Sequence, residues 1–415
     1  MRPRRALPDG RLTRQLMADL LVDGTSAVRP AMLKLFYICY FLVSGVSIPF
    51  FPAYLRKLGL GGQSVSTILA VAPLLQLGVP LVWGWLADRT QRPDRILKIL
   101  CLGACVASWP MIFVRTMPGL LFLYVGQQVF AGSIMALADS LAVERSRKEK
   151  SDYSRIRLWG SLSFIAICLI VGKALDGRAA PMGDALVPLM ISVGFAIAFL
   201  ASLGLRGHGD FEAPHARDVR ALLADSRFRF LLLLAGLHWM CLTPYHDFFG
   251  ILLQDRGFAA TTTSHAFFVG VGAEVAVFLL FSRLRPRCSL PTLFIASFAM
   301  TAFRWWLFAY THNPTLVVAT QALHGMTFGI FWASSMAWVG ECVSPKVRAT
   351  GQVLFFTTLA LGKTVGVLFT GALYDATGGA GTAFSLAGVV ELVPLGLAFW
   401  YWRRERQTVS VPPHR

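Results

Sequence analysis

Residues 303–329 read FRWWLFAYTHNPTLVVATQALHGMTFG, two apolar runs parted by a turn at His312, Asn313 and Pro314. Arg304 falls within the first run and His324 within the second. An ionisable side chain near the centre of a membrane-spanning helix costs about 2.5–3.5 kcal/mol on insertion scales, so it turns toward a protein interior or a wet cavity. The stretch therefore predicts two consecutive spanning helices, each carrying one such group inward. It points to a polytopic membrane carrier with these residues in its coupling machinery.

The rest of the chain agrees. Of its 415 residues, 55% are hydrophobic and only 15% charged, with a mean hydropathy of +0.58. Soluble domains carry about 25% charged residues, and the deficit fits lipid as the solvent. A spanning helix needs about 20 apolar residues. Twelve such runs occur, at 31–54, 64–87, 96–116, 118–143, 156–176, 185–205, 228–253, 262–282, 290–311, 314–340, 349–374 and 381–402. The predicted class is an all-α integral membrane protein of twelve helices in two pseudo-symmetric halves of six. The predicted organisation is a tail over 1–30, bundles over 31–205 and 228–402, a polar linker over 206–227 and a second tail over 403–415. Part of the linker, 218–228, reads as a short surface helix.

A net charge of +17 raises nucleic acid as a partner, but its distribution argues for topology. With odd-numbered spans starting inside, Arg56, Lys57, Arg115, Lys173, Arg178 and Arg256 lie outside, and Lys34, Arg304 and Lys363 lie within spans. The other 30 of the 39 Lys and Arg fall inside. This is the positive-inside bias, which makes both termini cytoplasmic and assigns the basic excess to anionic lipid. The N-terminal tail has no apolar stretch suited to a cleaved leader. It reads either as a solvated cytoplasmic tail or as sequence upstream of a true start at Met32. The seven cysteines are scattered without metal spacing or an extracellular framework, so they read as small packing residues.

The halves echo each other. Arg157, Leu158, Trp159 and Gly160 open the fifth predicted span, and Arg348, Ala349, Thr350 and Gly351 open the eleventh, 191 residues later. Repeats related by an axis along the membrane normal are a transporter feature. The loop after the second span supplies Gly84, Asp88, Arg89 and Arg92 in the pattern G-x-x-x-D-R-x-x-R. Gly84 permits close helix contact there, Asp88 can cap or pair, and the arginines anchor the loop on the cytosolic side.

That pattern resembles the loop 2–3 signature of the major facilitator superfamily. The resemblance implies that Asp88 and Arg89 help to latch an inner gate between the halves. Asp139 and Arg157, eighteen residues apart, are similar to the acid and arginine at the sugar site of lactose-permease-like carriers. The R-x-W-G-S run from Arg157 also resembles the phenylpropionate permease branch. A structural pair near the inner helix ends is the competing reading of Asp139 and Arg157.

The second half holds the densest constellation. Tyr245, His246 and Asp247 lie on the seventh span, Glu274 on the eighth, Arg304 on the ninth, His324 on the tenth and Lys363 on the eleventh. Charges of both signs on consecutive helices can neutralise one another in a shared interior. A carboxylate beside Arg304 can then titrate as the cavity opens to either side. This set too resembles lactose permease. By that resemblance Arg304 sets the proton site, Glu274 couples substrate to proton, and Asp247 pairs with Lys363. One departure stands out, because the family's key acid follows the tenth-helix histidine by three residues and Thr327 occupies that position here. Glu274 is the first choice for the titrating carboxylate and Asp247 the second. Tyr245 and His324 complete the proton-coupling set.

Trp239, Trp305, Trp306, Trp332 and Trp338 lie on the same helices. Most read as belt or core residues, while Trp332 and Phe248 are candidates for the substrate cavity beside Asp139 and Arg157. Glu391 lies mid-span in the twelfth helix, and its neighbours in sequence explain nothing about it. No H-E-x-x-H, G-x-S-x-G or phosphate loop is present, which argues against an enzyme.

The favoured function is proton-driven symport of a small organic solute, an aromatic monocarboxylate before an oligosaccharide, across a bacterial inner membrane. The protein is expected to work as a monomer with no cofactor beyond the proton gradient, and with solute, protons and lipid as its partners. A drug or siderophore antiporter is the alternative. Exporters of the superfamily that the chain resembles carry a glycine-proline motif in the fifth span, whereas residues 158–172 contain no proline.

Overall fold

The computed structural model describes residues 30–149, 153–177, 183–206, 216–344 and 347–409. Much of both predicted tails and residues 207–215 of the linker lie outside that set. Twelve helices are long and apolar enough to span a membrane: α1 (Ala31–Lys57), α2 (Gly62–Thr90), α3 (Pro93–Ile112), α4 (Met117–Ala142), α5 (Arg157–Asp176) and α6 (Ala185–Leu203) in the first half, then α7 (Ser226–Asp255), α8 (Ala260–Leu284), α9 (Leu290–Tyr310), α10 (Pro314–Cys342), α11 (Thr350–Thr377) and α12 (Ala380–Gln407) in the second. No strand occurs among the described residues.

The boundaries follow local chemistry. Asn313, read as part of a turn, caps α10, accepting from the amides of Thr315 and Leu316 at 2.9 and 3.1 Å. Asp225 caps α7 through the amides of Arg227 and Phe228. The linker helix therefore runs over Ala216–Ala224 and stops before Phe228, which belongs to α7. Gly378 closes α11 with φ +74°, a left-handed conformation that glycine adopts without strain.

Several spans depart from regular α-helix. Helix α7 passes through a π turn at Pro244–Phe248. Helix α10 tightens to a 3-10 turn at Thr320–Leu323 and widens to a π turn at Gly325–Ile330. Helix α12 breaks at Glu391. Such irregularities expose backbone carbonyls and are frequent at functional sites.

Helices α1–α6 pack into one lobe and α7–α12 into the other. Large apolar side chains such as Phe122, Leu200 and Leu279 remain exposed around the bundle, as a lipid-facing surface requires. The lobes meet chiefly through three helix pairs, α1 with α7, α2 with α11 and α5 with α8, and more narrowly where α1 meets α8. The tight approaches lie at the face opposite the termini, the far face. A Cβ on Gly371 would meet Ser66 Oγ at 2.1 Å and the Gly62 carbonyl at 2.5 Å, so α2 and α11 touch backbone to backbone. A Cβ on Gly172 would likewise collide with Ser264, which donates to the Cys168 carbonyl at 2.8 Å and ties α8 to α5.

Polar contacts complete the far-face seal. Asp375 accepts from the first amides of α2, Gly62 and Gln63, at 2.6 and 2.8 Å. Asp176 accepts from the first amides of α8, Ala260 and Thr261, at 2.6 and 2.9 Å. Arg56 Nε donates to the Tyr374 hydroxyl at 2.9 Å, and that hydroxyl donates to Asp255 at 2.8 Å, which joins the ends of α1, α7 and α11.

Candidate functional site

Arg304 lies at the centre of the second lobe, fully buried. Its guanidinium donates to Thr327 Oγ1 at 3.1 Å and to His324 Nδ1 at 3.3 Å, and it also donates to Gln321 Oε1. The rings of Tyr245, Trp305 and Phe308 surround it, with centroids 4.5, 5.2 and 4.9 Å from Cζ. Aromatic faces attract a desolvated cation, so these rings replace part of the lost hydration. Gln321 Oε1 is shared, since the Tyr245 hydroxyl donates to it at 3.1 Å.

The tautomer of His324 follows from its partner. A guanidinium only donates, so Nδ1 accepts and the ring hydrogen sits on Nε2. That nitrogen points to Glu274 Oε2, 4.0 Å away. The Glu274 side chain retains 25% exposure, so here the cluster meets open space. Helix α8, which carries Glu274, packs against α5 of the first lobe, which carries Arg157, so this helix pair is a junction between lobes. Arg304, His324 and Glu274 thus form one continuous series from dry core to accessible edge. Among the described residues no carboxylate pairs directly with Arg304.

Asp247 and Lys363 make a separate pair, 3.1 Å apart between α7 and α11. In the first lobe, Asp139 accepts from the Tyr37 hydroxyl, and the Arg157 guanidinium lies 5.7 Å from the centre of the Phe41 ring. Tyr37 and Phe41 stack one turn apart on α1, which therefore holds both predicted residues.

Trp332 belongs to an aromatic ladder on α10. Phe328 stacks on His324 at 5.2 Å and on Trp332 at 5.7 Å, both with an interplanar angle of 18°. Trp239 of α7 flanks Phe328 and Trp332 at 5.9 Å from each. The ladder begins at the charged cluster and supplies planar apolar surface beside it.

Two expectations need correction. Phe248 lines no cavity. It is fully buried and packs 6.0 Å from Tyr374, because the π turn of α7 directs it into the core. Gly84 permits no close helix contact in this conformation, as the space a Cβ would take is open and its segment of α2 packs instead on α3. Nearby, Arg89 lies over Trp85 and Arg92 pairs with Asp94 at 3.0 Å, contacts local to the loop.

Gln321 and Phe328 escaped the sequence reading. They occupy positions −3 and +4 from His324, neighbours on one helical face. That spacing is the signal that would have found them.

A family model described as the MFS_1 like family matches residues 31–386. The chain belongs to that family. It is a transporter of the major facilitator type and a multi-pass membrane protein, not an enzyme. Among relatives of this major facilitator transporter, a probable 3-phenylpropionic acid transporter of Escherichia coli is 28% identical over 364 residues, covering 83% of this chain and 91% of that protein. The maltose permease of Geobacillus stearothermophilus is 26% identical over 353 residues, covering 83% and 86%. A crystal structure of the nucleoside transporter NupG superposes with a TM-score of 0.74 at 18% identity, covering 90% of this chain and 98% of that one. It shares the fold.

Proposed function

We propose that this transporter couples the inward movement of a small organic solute to protons, and that an aromatic monocarboxylate is the favoured solute. The observation that carries the reading is the Arg304–His324–Glu274 series, with a buried guanidinium at one end and a partly exposed carboxyl at the other. A proton on Glu274 removes a charge at the accessible edge. Its loss leaves a carboxylate facing His324.

The solute preference rests on the groups beside this edge. Arg157 offers a fixed cation to a carboxylate, and the Phe328–Trp332 shelf offers a face to an aromatic ring. The relative described as a probable phenylpropionic acid transporter favours the same solute class. With both termini cytoplasmic in a bacterial inner membrane, the sealed far face is periplasmic and this conformation opens inward. Asp139 serves the site by holding Tyr37, and Asp88, Arg89 and Arg92 serve the inner gate when the lobes close there.

The test is uptake of labelled 3-phenylpropionate into vesicles with an imposed inward proton gradient. Accumulation that an uncoupler abolishes supports the reading. Equilibration without accumulation overturns the coupling. Accumulation of maltose but not phenylpropionate overturns the solute class.

A further inference from the structure

A second ionisable pair lies apart from the cluster. His238 on α7 and Glu391 on α12 are both fully buried, and His238 Nδ1 lies 2.5 Å from Glu391 Oε1. The other ring nitrogen, Nε2, faces the Thr327 carbonyl at 3.3 Å. Phe298 of α9 and Phe331 of α10 pack on the imidazole, with centroids 4.7 and 4.4 Å away. Ser297 of α9 donates to the same Thr327 carbonyl at 3.0 Å. Cys241 is the thiol beside Glu391, and His246 is the other imidazole within electrostatic reach of His238.

The geometry counts hydrogens. A carbonyl only accepts, so the contact to Thr327 requires hydrogen on Nε2. At 2.5 Å, Nδ1 and Oε1 require another between them, since two lone pairs would repel. The pair as found is therefore neutral overall, whether written as imidazolium and carboxylate or as imidazole and carboxylic acid. Binding one proton from water forms the N–H–O bridge, and releasing it to water leaves a net charge of −1. The imidazole hydrogen then serves one side only. Drawn to Nδ1 by the carboxylate, it leaves the Nε2 lone pair facing the Thr327 carbonyl, and that contact turns repulsive.

Thr327 joins this pair to the cluster. Its carbonyl faces His238, while its hydroxyl takes the Arg304 guanidinium at 3.1 Å. It lies within the π turn Gly325–Ile330, where the regular ladder of carbonyl bonds is already broken.

We propose that His238 and Glu391 form a second proton-binding site whose loading sets the position of Arg304 through Thr327. The role in transport rests on the proton-coupled function above, but proton binding and its effect on α10 do not.

Glu391→Gln supplies an N–H to Nδ1 and cannot release a proton, so it imitates the loaded state. The pair His238→Phe with Glu391→Leu replaces the buried ions by apolar groups, an exchange that is often neutral or stabilising, and serves if the first variant fails to fold. Hydrogen–deuterium exchange over residues 320–331 of purified protein in lipid nanodiscs is compared from mildly acidic to alkaline pH, corrected for intrinsic rates. Wild-type protection is expected to fall about fivefold as the pair unloads, the equivalent of one hydrogen bond. Both variants are expected to show no such fall, and Glu274→Gln to retain it. An equal pH response in wild type and variants, or none in wild type, overturns the proposal. If the difference appears while wild-type vesicles show no proton-driven uptake, the pair stands and the symport reading falls.

Discussion

Asp176 and Asp375 occupy equivalent places on either side of the axis relating the two lobes. Each lies in the last turn of its helix, and each accepts two hydrogen bonds from the opening amides of a helix in the other lobe. The first amides of a helix have no partner within it and carry a partial positive charge, which suits a carboxylate. The far-face seal is therefore built twice from the same parts, although the two acids lie 199 residues apart.

Replacing both acids by alanine is expected to release the far face without unfolding either lobe. A cap contributes about 1 kcal/mol, so the double change shifts the balance of conformations roughly 30-fold. Labelling of a cysteine placed in the α2–α11 seam should rise in the double variant and less in each single one. Unchanged labelling in the double variant would show that the seal rests elsewhere.

Gly371→Val tests the packing half of the seal. The first added carbon alone would approach Ser66 and the Gly62 carbonyl well inside contact distance. These atoms belong to opposite lobes, so the strain is relieved by separation. The expected result is a population held open at the far face, read by labelling of the seam, with thermal stability of the lobes little changed.

Glu274→Gln is expected to abolish gradient-driven accumulation of phenylpropionate while sparing exchange down its gradient, because the variant keeps the shape of the protonated acid. Arg304→Lys is expected to lose accumulation and thermal stability together. A lysine is a single point of charge and cannot serve Gln321, His324 and Thr327 as a planar fork does. Full accumulation in either variant would overturn the coupling role proposed for these residues.

Lys363→Ala should lower Tm by leaving Asp247 without its partner at the edge of the core. Removing one member of a fully buried pair costs about 3–5 kcal/mol, and the partial exposure of Lys363 reduces that here. Combining it with Asp247→Asn should recover much of the loss. Additive losses in the two single variants and the double would show that the pair contributes no coupling energy.

The twelve spans were legible because the membrane demands long apolar runs and the turns between them are polar. Arg304 and His324 were legible for the same reason, as ionisable groups in the wrong solvent. Partners chosen by the folded lobe were not. Glu391 was visibly out of place mid-span, yet its partner His238 lies 153 residues away on another helix. Thr327 read as a missing acid, while its hydroxyl and carbonyl face two different groups. Phe248 read as a candidate for the cavity, but a π turn changes which neighbours share a face, and nothing in the local pattern announces one.

The widened turn of α10 holds one more residue than its surroundings need, much as a dislocation holds an extra row of atoms in a crystal. Each residue advances a regular helix by about 100°. Expelling the surplus residue from Gly325–Ile330, or passing it one turn along, would swivel everything beyond it, Trp332 included, relative to Arg304. A displacement of that kind lets the aromatic shelf proposed for the solute re-aim within one lobe, before the two lobes move against each other.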